Sequence, residues 1–337
     1  MILVTGATGI LGRVITLEAL KLGKNVRAAK RISSNVDEVR RSFRFYTENP
    51  DTWFDRIEWV DMDFEDQESI SRALEGVEEV YHCAAKVSFD PRESREVYHT
   101  NIDGTRNLLY AVDGSLVKKF LFVSSVAVLD LPNDKGEFDE NSEYNPKTDH
   151  SAYAVSKHFA EMEVWRAMAE GLNAAIVNPG MIIGSGNWEQ SSGNMFSTFA
   201  KYPFAFSGAT SYVDVRDVAA ISVQLMEKNI LGERFIVVSE SKTFEEMSNA
   251  VRTRLQRSKV KVIPDAVLKS LRFLKIFSFL FPQFKMLNRA NIEAVTGHSR
   301  ISGEKIRKRL GYRFLPVSES LDYHLNNYIQ DQKHPIL

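Results

Sequence analysis

The 337-residue chain has a single cysteine, Cys83, which excludes an intramolecular disulfide framework and a cysteine-built zinc site. An excess of one charge is missing too: 43 basic residues face 44 acidic ones, and a net charge of -1 recommends no nucleic-acid partner. Nor does the Phe-rich stretch 263 to 287 read as a bilayer span, because Lys269, Arg272 and Lys275 interrupt it. An apolar strand begins almost at Met1, leaving no room for a cleavable targeting segment, so a cytoplasmic enzyme is expected. His82 beside Cys83 lies in the apolar run Val80-Tyr81-His82-Cys83-Ala84-Ala85 and is read as core packing, and no metal site is expected. What is there is an ordinary globular composition, 44% hydrophobic and 26% charged, with ample material for a large core.

The most informative run is Ile2-Leu3-Val4-Thr5-Gly6-Ala7-Thr8-Gly9-Ile10-Leu11-Gly12, an apolar strand entering three glycines at three-residue intervals. Gly6 allows a tight turn, Gly9 lets backbone approach a pyrophosphate, and Gly12 lets the next helix pack close to the sheet. The positive end of that helix then points at the phosphates. Glycine alone marks any tight turn, but here an apolar strand precedes it and an amphipathic helix follows, with Val14, Leu17, Ala19, Leu20 and Leu22 apolar.

Strand-like runs at 2 to 5, 25 to 29, 57 to 62, 79 to 84, 119 to 125 and 174 to 178 alternate with helical periodicity at 10 to 22, 67 to 75, 93 to 113 and 151 to 170. This alternation predicts an α/β fold with a Rossmann-type, doubly wound parallel sheet. A polar stretch from Arg31 to Asp55 is longer than a connection needs and is read as holding an extra helix over Val36 to Tyr46, of opaque function. After Gly180 the pattern is irregular, with regular helix returning at Val213 to Asn229. The expected division is a dinucleotide-binding domain of residues 1 to 180 plus 213 to 231, and a smaller substrate lobe of 181 to 212 and 232 to 337.

Tyr153 and Lys157 lie one turn apart on one face of a predicted helix. A free phenol, pKa ~10, is a poor acid or base at neutral pH, and a nearby cation brings it into useful range. The run Phe120-Leu121-Phe122-Val123-Ser124-Ser125 ends in two hydroxyls at the carboxyl end of a strand, where ligands bind in parallel α/β sheets. Ser125 is read as a hydrogen-bond donor to a carbonyl oxygen, and Ser124 equally as a residue satisfying loop backbone.

With these residues the chain resembles an extended short-chain dehydrogenase/reductase, of the NAD-dependent epimerase/dehydratase family, over nearly its full length. Thr5 to Gly12 resembles the family's cofactor turn, including Gly6, Thr8, Gly9, Ile10, Leu11 and Gly12. Asp63-Phe64 resembles its adenine contact, and His82-Cys83-Ala84-Ala85 the strand behind the nicotinamide ribose, with Ala84 and Ala85 at the cofactor. Asn101-Ile102-Asp103-Gly104-Thr105 is similar to its central helix motif, and Ser125, Tyr153 and Lys157 to its catalytic set. Asn178 to Gly184, with Pro179, Gly180 and Ile182, resembles the segment shaping the nicotinamide pocket, and Val213 to Ala219 the later helix start. The resemblance implies that Tyr153 exchanges a proton with the substrate oxygen, Lys157 lowers its pKa and holds the ribose, and Ser125 polarises that oxygen. It implies for Asn101 either a proton-relay water or a backbone bond in a helix bend.

No acidic residue closes the second strand, Asn25 to Arg31, to accept a bond from an adenosine 2′-hydroxyl. Lys30, Arg31, Ser33 and Ser34 offer donors for a 2′-phosphate, so NADP(H) is expected over NAD(H), with Arg31 the leading contact or else part of a solvated basic turn. Val126-Ala127 follows Ser125 where the family's dehydratases carry Asp-Glu, and Met181 stands where nucleotide-sugar enzymes tend to have asparagine. The chain therefore looks more like the dihydroflavonol-reductase and hydroxysteroid-dehydrogenase branch, which implies an NADP(H)-dependent oxidoreductase acting on a mostly apolar small molecule. A nucleotide-sugar epimerase and a non-catalytic redox sensor are the competing readings. The stretch 263 to 287 is read as a helix packed on the core, with a substrate lid, a subunit contact or a basic membrane-surface helix as alternatives. A homodimer through the helices of Asn101 to Val112 and Tyr153 to Glu170 is implied by the family resemblance.

Overall fold

The computed structural model describes residues 1–189, 191–271 and 286–333, with the side chains of residues 191 and 192 left aside. Its first half alternates strand and helix: β1 (Ile2–Thr5), α1 (Ile10–Lys21), β2 (Val26–Lys30), α2 (Val36–Phe43), α3 (Pro50–Phe54), β3 (Glu58–Asp61), α4 (Gln67–Leu74) and β4 (Glu79–His82). There follow α5 (Ser94–Tyr98), a π-helical turn (His99–Asp103), α6 (Gly104–Asp113), β5 (Lys119–Val123), β6 (Glu137–Phe138), α7 (Ala152–Ala169), β7 (Ala174–Pro179) and β8 (Met181–Ile183). The remainder runs α8 (Met195–Lys201), β9 (Phe204–Ala205), β10 (Ala209–Asp214), α9 (Val215–Glu227), β11 (Glu233–Val237), β12 (Glu240–Thr243) and α10 (Phe244–Arg254). It ends with β13 (Lys261–Val262), α11 (Asp265–Leu271), α12 (Arg289–Thr296), β14 (Arg300–Ile301), α13 (Glu304–Leu310) and α14 (Val317–Lys333).

Seven strands form one parallel sheet in the order β11-β7-β5-β4-β1-β2-β3. The chain reverses direction across the sheet between β1 and β4, where Thr5 pairs with His82, so a crevice opens beyond their carboxyl ends. The central strands β1, β4, β5 and β7 are buried on both faces, which explains their largely apolar character. Alternate residues divide between two cores: Val4, Leu121, Val123 and Val177 pack with α1 and α9, whereas Leu3, Phe120, Phe122 and Ile176 pack with α4, α6 and α7.

Three expectations need correction. The sheet does not end with the segment assigned to 213–231: β11 joins it at β7, so residues 233–237 belong with the dinucleotide fold. Phe235, Ile236 and Val237 are fully buried, and the four-residue apolar run Phe235 to Val238 gives neither helical nor alternating periodicity from which to place it. The later helix starts at Val215, because Val213 and Asp214 complete β10 and the Asp214 side chain caps the helix by accepting from the Arg216 N–H. The helix expected over 93 to 113 is interrupted by the π-turn that carries Asn101.

The polar insertion folds as α2 and α3 and ties the sheet domain to the C-terminal helix. Tyr46 donates to the Ser185 carbonyl (2.9 Å) and accepts from its N–H (2.7 Å), Phe45 meets the Trp188 ring at 5.9 Å, and Tyr323 of α14 bonds the Phe45 carbonyl. Of the Phe-rich stretch 263 to 287, α11 is described and residues 272–285 lie outside the described residues. Among the described residues no helix is long and apolar enough to cross a membrane.

Candidate active site

The glycine turn closes on the strand beside it. Gly6 has φ +64°, and a Cβ there would stand 2.7 Å from the Ala84 backbone, so both conformation and space demand glycine. A Cβ on Gly12 would lie 2.2 Å from the Gly6 carbonyl oxygen. Gly9 differs: its N–H bonds the Gly6 carbonyl (2.9 Å), and a Cβ would meet only that oxygen, at 3.1 Å. The rest of its surface stays open to a ligand. Ile10 and Leu11 begin α1, which has no side-chain cap and no acidic residue in its first turn, leaving its N–H groups for an anion. That donor set and the cradle at Gly9 fit a dinucleotide pyrophosphate. Behind the turn, the fully buried Arg13 donates to the carbonyls of Thr8, Gly9 (3.2 Å) and Gly186 (2.9 Å) and pairs with Glu38.

At the end of β2, Lys30 is held by Asp61, but Arg31 is exposed and its guanidinium has no partner among the described residues. The hydroxyl of Ser34 accepts from the Arg31 N–H at 3.2 Å. Asp63 is exposed and its side chain accepts from the Glu65 N–H (3.0 Å), while the Phe64 ring covers Gly104, where a Cβ would come within 3.2 Å of it.

His82 joins β1 and β4 to α6 through hydrogen bonds whose direction is determined. Thr105 Oγ1 gives its proton to the Asn101 carbonyl (2.6 Å) and so accepts from His82 Nε2 (2.9 Å); His82 Nδ1 then accepts from Thr5 Oγ1 (2.7 Å). Thr5 Oγ1 in turn accepts from the N–H of Ala84, beside Ala85, at 3.3 Å. Burial pulls the imidazole down to about 3, so it stays neutral, as its expected packing role requires.

Beyond β5, the structure brings Ser125 and Tyr153 together. Ser125 Oγ accepts from the Ala127 N–H at 3.2 Å and lies beside Tyr153, whose phenol is pushed up by burial and drawn back by the Ser125 hydroxyl. α7 starts with Ser151 accepting from the Ala154 N–H, which sets Tyr153 in its first turn, half-buried with its ring 5.8 Å from Phe89. One turn on, Lys157 donates to the Val123 carbonyl (2.6 Å) and lies 4.5 Å over the Phe122 ring. Burial pulls its ammonium down to about 8, against Glu161 and Cys83, which push it up. At Tyr153 the Ser125 hydroxyl opposes burial, and Lys157 is engaged with the strand end.

Asn101 is a brace. Its amide donates to the Lys86 carbonyl (2.9 Å) and Ser156 Oγ (2.8 Å), and its oxygen accepts from the Lys86 N–H (2.7 Å). Ser156 passes the link to the Tyr153 carbonyl at 2.8 Å. Pro179 ends β7 and pairs with Val237; at Gly180 a Cβ would fall 2.4 Å from the Ser211 carbonyl oxygen; Ile182 pairs with Val213. Sequence reasoning missed the side chains behind this surface, the buried Glu161 and Asn178 amide and the half-buried Arg234. The available signal was a carboxylate on the buried stripe of α7, one turn beyond Lys157.

The family model for the NAD dependent epimerase/dehydratase family matches residues 2–238. Sterol demethylase protein B of Methylococcus capsulatus is 31% identical over 329 residues, covering 92% of each chain. A putative dihydroflavonol 4-reductase of Synechocystis is 28% identical over 245 residues, covering 71% of this chain and 67% of that protein. The terminal R domain from the myxalamid PKS-NRPS biosynthetic pathway superposes with a TM-score of 0.79 at 22% identity, over 98% of this chain and 91% of its own. The chain belongs to the NAD dependent epimerase/dehydratase family and is an NAD(P)-dependent oxidoreductase of the extended short-chain dehydrogenase/reductase type.

Proposed function

We propose that the protein is an NADP(H)-dependent oxidoreductase interconverting a carbonyl and a secondary alcohol on a mostly apolar small molecule in the cytoplasm. The observation that carries this reading is the placement of Ser125 just beyond the carboxyl end of β5 and of Tyr153 in the first turn of α7, with Lys157 one turn on bonded to the Val123 carbonyl at that same strand end. The glycine turn and the first turn of α1 would hold the pyrophosphate, Arg31 with Ser33 and Ser34 the 2′-phosphate, and Lys157 the ribose. When bound, the nicotinamide supplies or accepts the hydride. Tyr153 gives the proton from its hydroxyl to the substrate oxygen during reduction and recovers it in the reverse direction, while Ser125 orients that oxygen with a hydrogen bond. The charge of Lys157 favours the phenolate that Tyr153 leaves behind. An apolar substrate is supported by the exposed side chain of Phe89 next to Tyr153, and by relatives named for sterol and dihydroflavonol chemistry.

The test is NADPH oxidation against aromatic aldehydes, ketosteroid-like ketones and nucleotide-sugars. Turnover confined to the nucleotide-sugars would overturn the apolar assignment. Tyr153→Phe should lower turnover by about 100-fold or more with cofactor affinity largely kept, the scale expected for loss of a general acid. Arg31→Asp should weaken NADPH binding, measured by fluorescence titration, far more than NADH binding; equal losses would remove Arg31 from the 2′-phosphate site.

A homodimer through α6 and α7 is part of the same reading. Their outer faces expose Tyr110, Phe159 and Met162, with Arg106, Glu163 and Arg166 around them. Sedimentation of the intact chain should give a dimer that Phe159→Glu with Met162→Glu converts to monomer.

A further inference from the structure

The charged group closest behind the catalytic residues is absent from the mechanism above. Glu161 is nine-tenths and more buried, and it accepts four hydrogen bonds: from Ser124 Oγ (2.6 Å), Asn178 Nδ2 (2.9 Å), Arg234 Nη1 (3.2 Å) and Trp165 Nε1 (3.3 Å). We propose that Glu161 is a positioning residue of this site: from behind the reacting atoms it aims Ser125 and places a negative charge one helical turn beyond Lys157. The inference rests on the proposed function for the reaction but on the geometry alone for the arrangement.

The aim of Ser125 follows from how the four donors are spent. Asn178 Nδ2 carries two protons; Glu161 takes one and the Ser125 carbonyl takes the other at 3.2 Å. Glu161 therefore fixes the rotation of the amide that holds Ser125, and it holds the neighbouring Ser124 directly. Arg234, reaching in from β11, uses its other N–H groups on the carbonyls of Glu140 (2.7 Å) and Ser142. The connection leading toward α7 and Tyr153 is thus tied to the same carboxylate. A buried ion pair is a weak source of net stability, and apolar residues of equal volume could fill this space. What apolar residues could not do is orient two serines and an amide.

The charge acts on Lys157. The titratable groups that act on that ammonium are His82 at the end of β4, Cys83 just beyond it, and Glu161 of α7 itself. His82 is neutral and the Cys83 thiol is pushed up to about 12 by burial, so neither offers Lys157 a negative charge near neutral pH. Glu161 does, opposing the burial that pulls Lys157 down. Reduction requires the cation, so weakening Glu161 should move the alkaline loss of activity to lower pH.

The experiment compares wild type, Glu161→Gln, Glu161→Asp and the double variant Glu161→Gln with Arg234→Gln, in which neither buried charge is left alone. Three readouts are taken: thermal melting, NADPH-dependent kinetics against pH, and the titration of Lys157 in the cofactor-free protein by NMR of 13C-labelled lysine, assigned with Lys157→Arg. Glu161→Gln should lower kcat by about 10- to 100-fold with KM little changed, the scale of a small misplacement of reacting groups. The alkaline limb and the Lys157 titration should both move down by about one pH unit. Glu161→Asp should recover part of each, and the double variant should recover melting but not kcat. An unmoved Lys157 titration, or a double variant with wild-type kcat, overturns the proposal. If no carbonyl substrate is turned over by wild type, the proposed function fails while the cofactor-free titration still decides the role of Glu161.

Discussion

Two buried carboxylates, each paired with an arginine, serve different parts of the molecule. Glu161 sits behind the catalytic strand ends, and all its partners belong to the sheet domain: Ser124, Asn178, Arg234 and Trp165. Asp214 sits at the joint with the C-terminal helix. It caps α9, takes Arg216 at 2.9 and 2.7 Å, and accepts from His324 of α14 at 3.2 Å. Since that imidazole donates through Nε2, its Nδ1 accepts from Ser185 Oγ at 2.7 Å, and Asn327 donates to the same hydroxyl at 3.0 Å. Ser185, His324 and Asp214 thus line up like a hydrolytic triad, yet all three are sealed from solvent, so the chain uses the arrangement to fasten α14 to the sheet domain. The chemistry of the two carboxylates is alike, and what differs is which segments their hydrogen bonds immobilise. One should control turnover before stability, the other stability before turnover.

The sharpest way to break this contrast is Asp214→Ala. It removes the cap of α9 and leaves the Arg216 and His324 contacts without an anion, and breaking a buried pair in this way costs about 3–5 kcal/mol. Urea unfolding should show that loss at neutral pH, with turnover per folded molecule within a few-fold of wild type. A loss under ~1 kcal/mol, or a folded variant without turnover, would erase the distinction between the two clusters.

Legibility in the sequence divides along the same line. The turn at Gly6, Gly9 and Gly12, the end of β5 at Ser125 and the pair Tyr153 and Lys157 are contiguous or one helical turn apart, so local periodicity exposes them. The parallel sheet is legible for the same reason, up to β7. Glu161 and Arg234 meet across 73 positions and Tyr46 and Ser185 across 139, distances at which composition and spacing say nothing about pairing. The insertion holding α2 and α3 is opaque as sequence because its purpose is tertiary: Phe45 and Tyr46 are surface-like until α14 and the loop at Ser185 close over them. Asn101 shows the intermediate case. Its motif is readable, but only the fold reveals that its amide is fully used in bracing Lys86 and Ser156.

A finer test compares Asp214 with its neighbour Asp217 on α9. Burial pushes both carboxyls up, but at Asp214 the bonds from Arg216 and His324 outweigh it and hold the group well below the usual carboxylate range. Among the described residues Asp217 accepts from the Leu315 N–H (3.0 Å) and the Tyr312 hydroxyl (2.9 Å), with Arg216 acting without a direct bond, and burial lifts it to about 6. The signs are therefore opposite. Asp214, depressed on folding, contributes stability above the unfolded value of ~3.9, and this is lost as the pH falls through its folded value. Asp217, raised on folding, contributes fully below ~3.9, and this is lost as the pH rises through its folded value. Urea midpoints taken from about pH 4 to 7 should show wild type losing at most about 3 kcal/mol relative to Asp217→Asn as the pH rises. Relative to Asp214→Asn the wild type should hold its advantage across that window and lose it only in more acid solution. A wild-type minus Asp217→Asn difference that stays flat would mean that the two hydrogen bonds at Asp217 offset its burial, and that a cation is not what separates these two carboxylates.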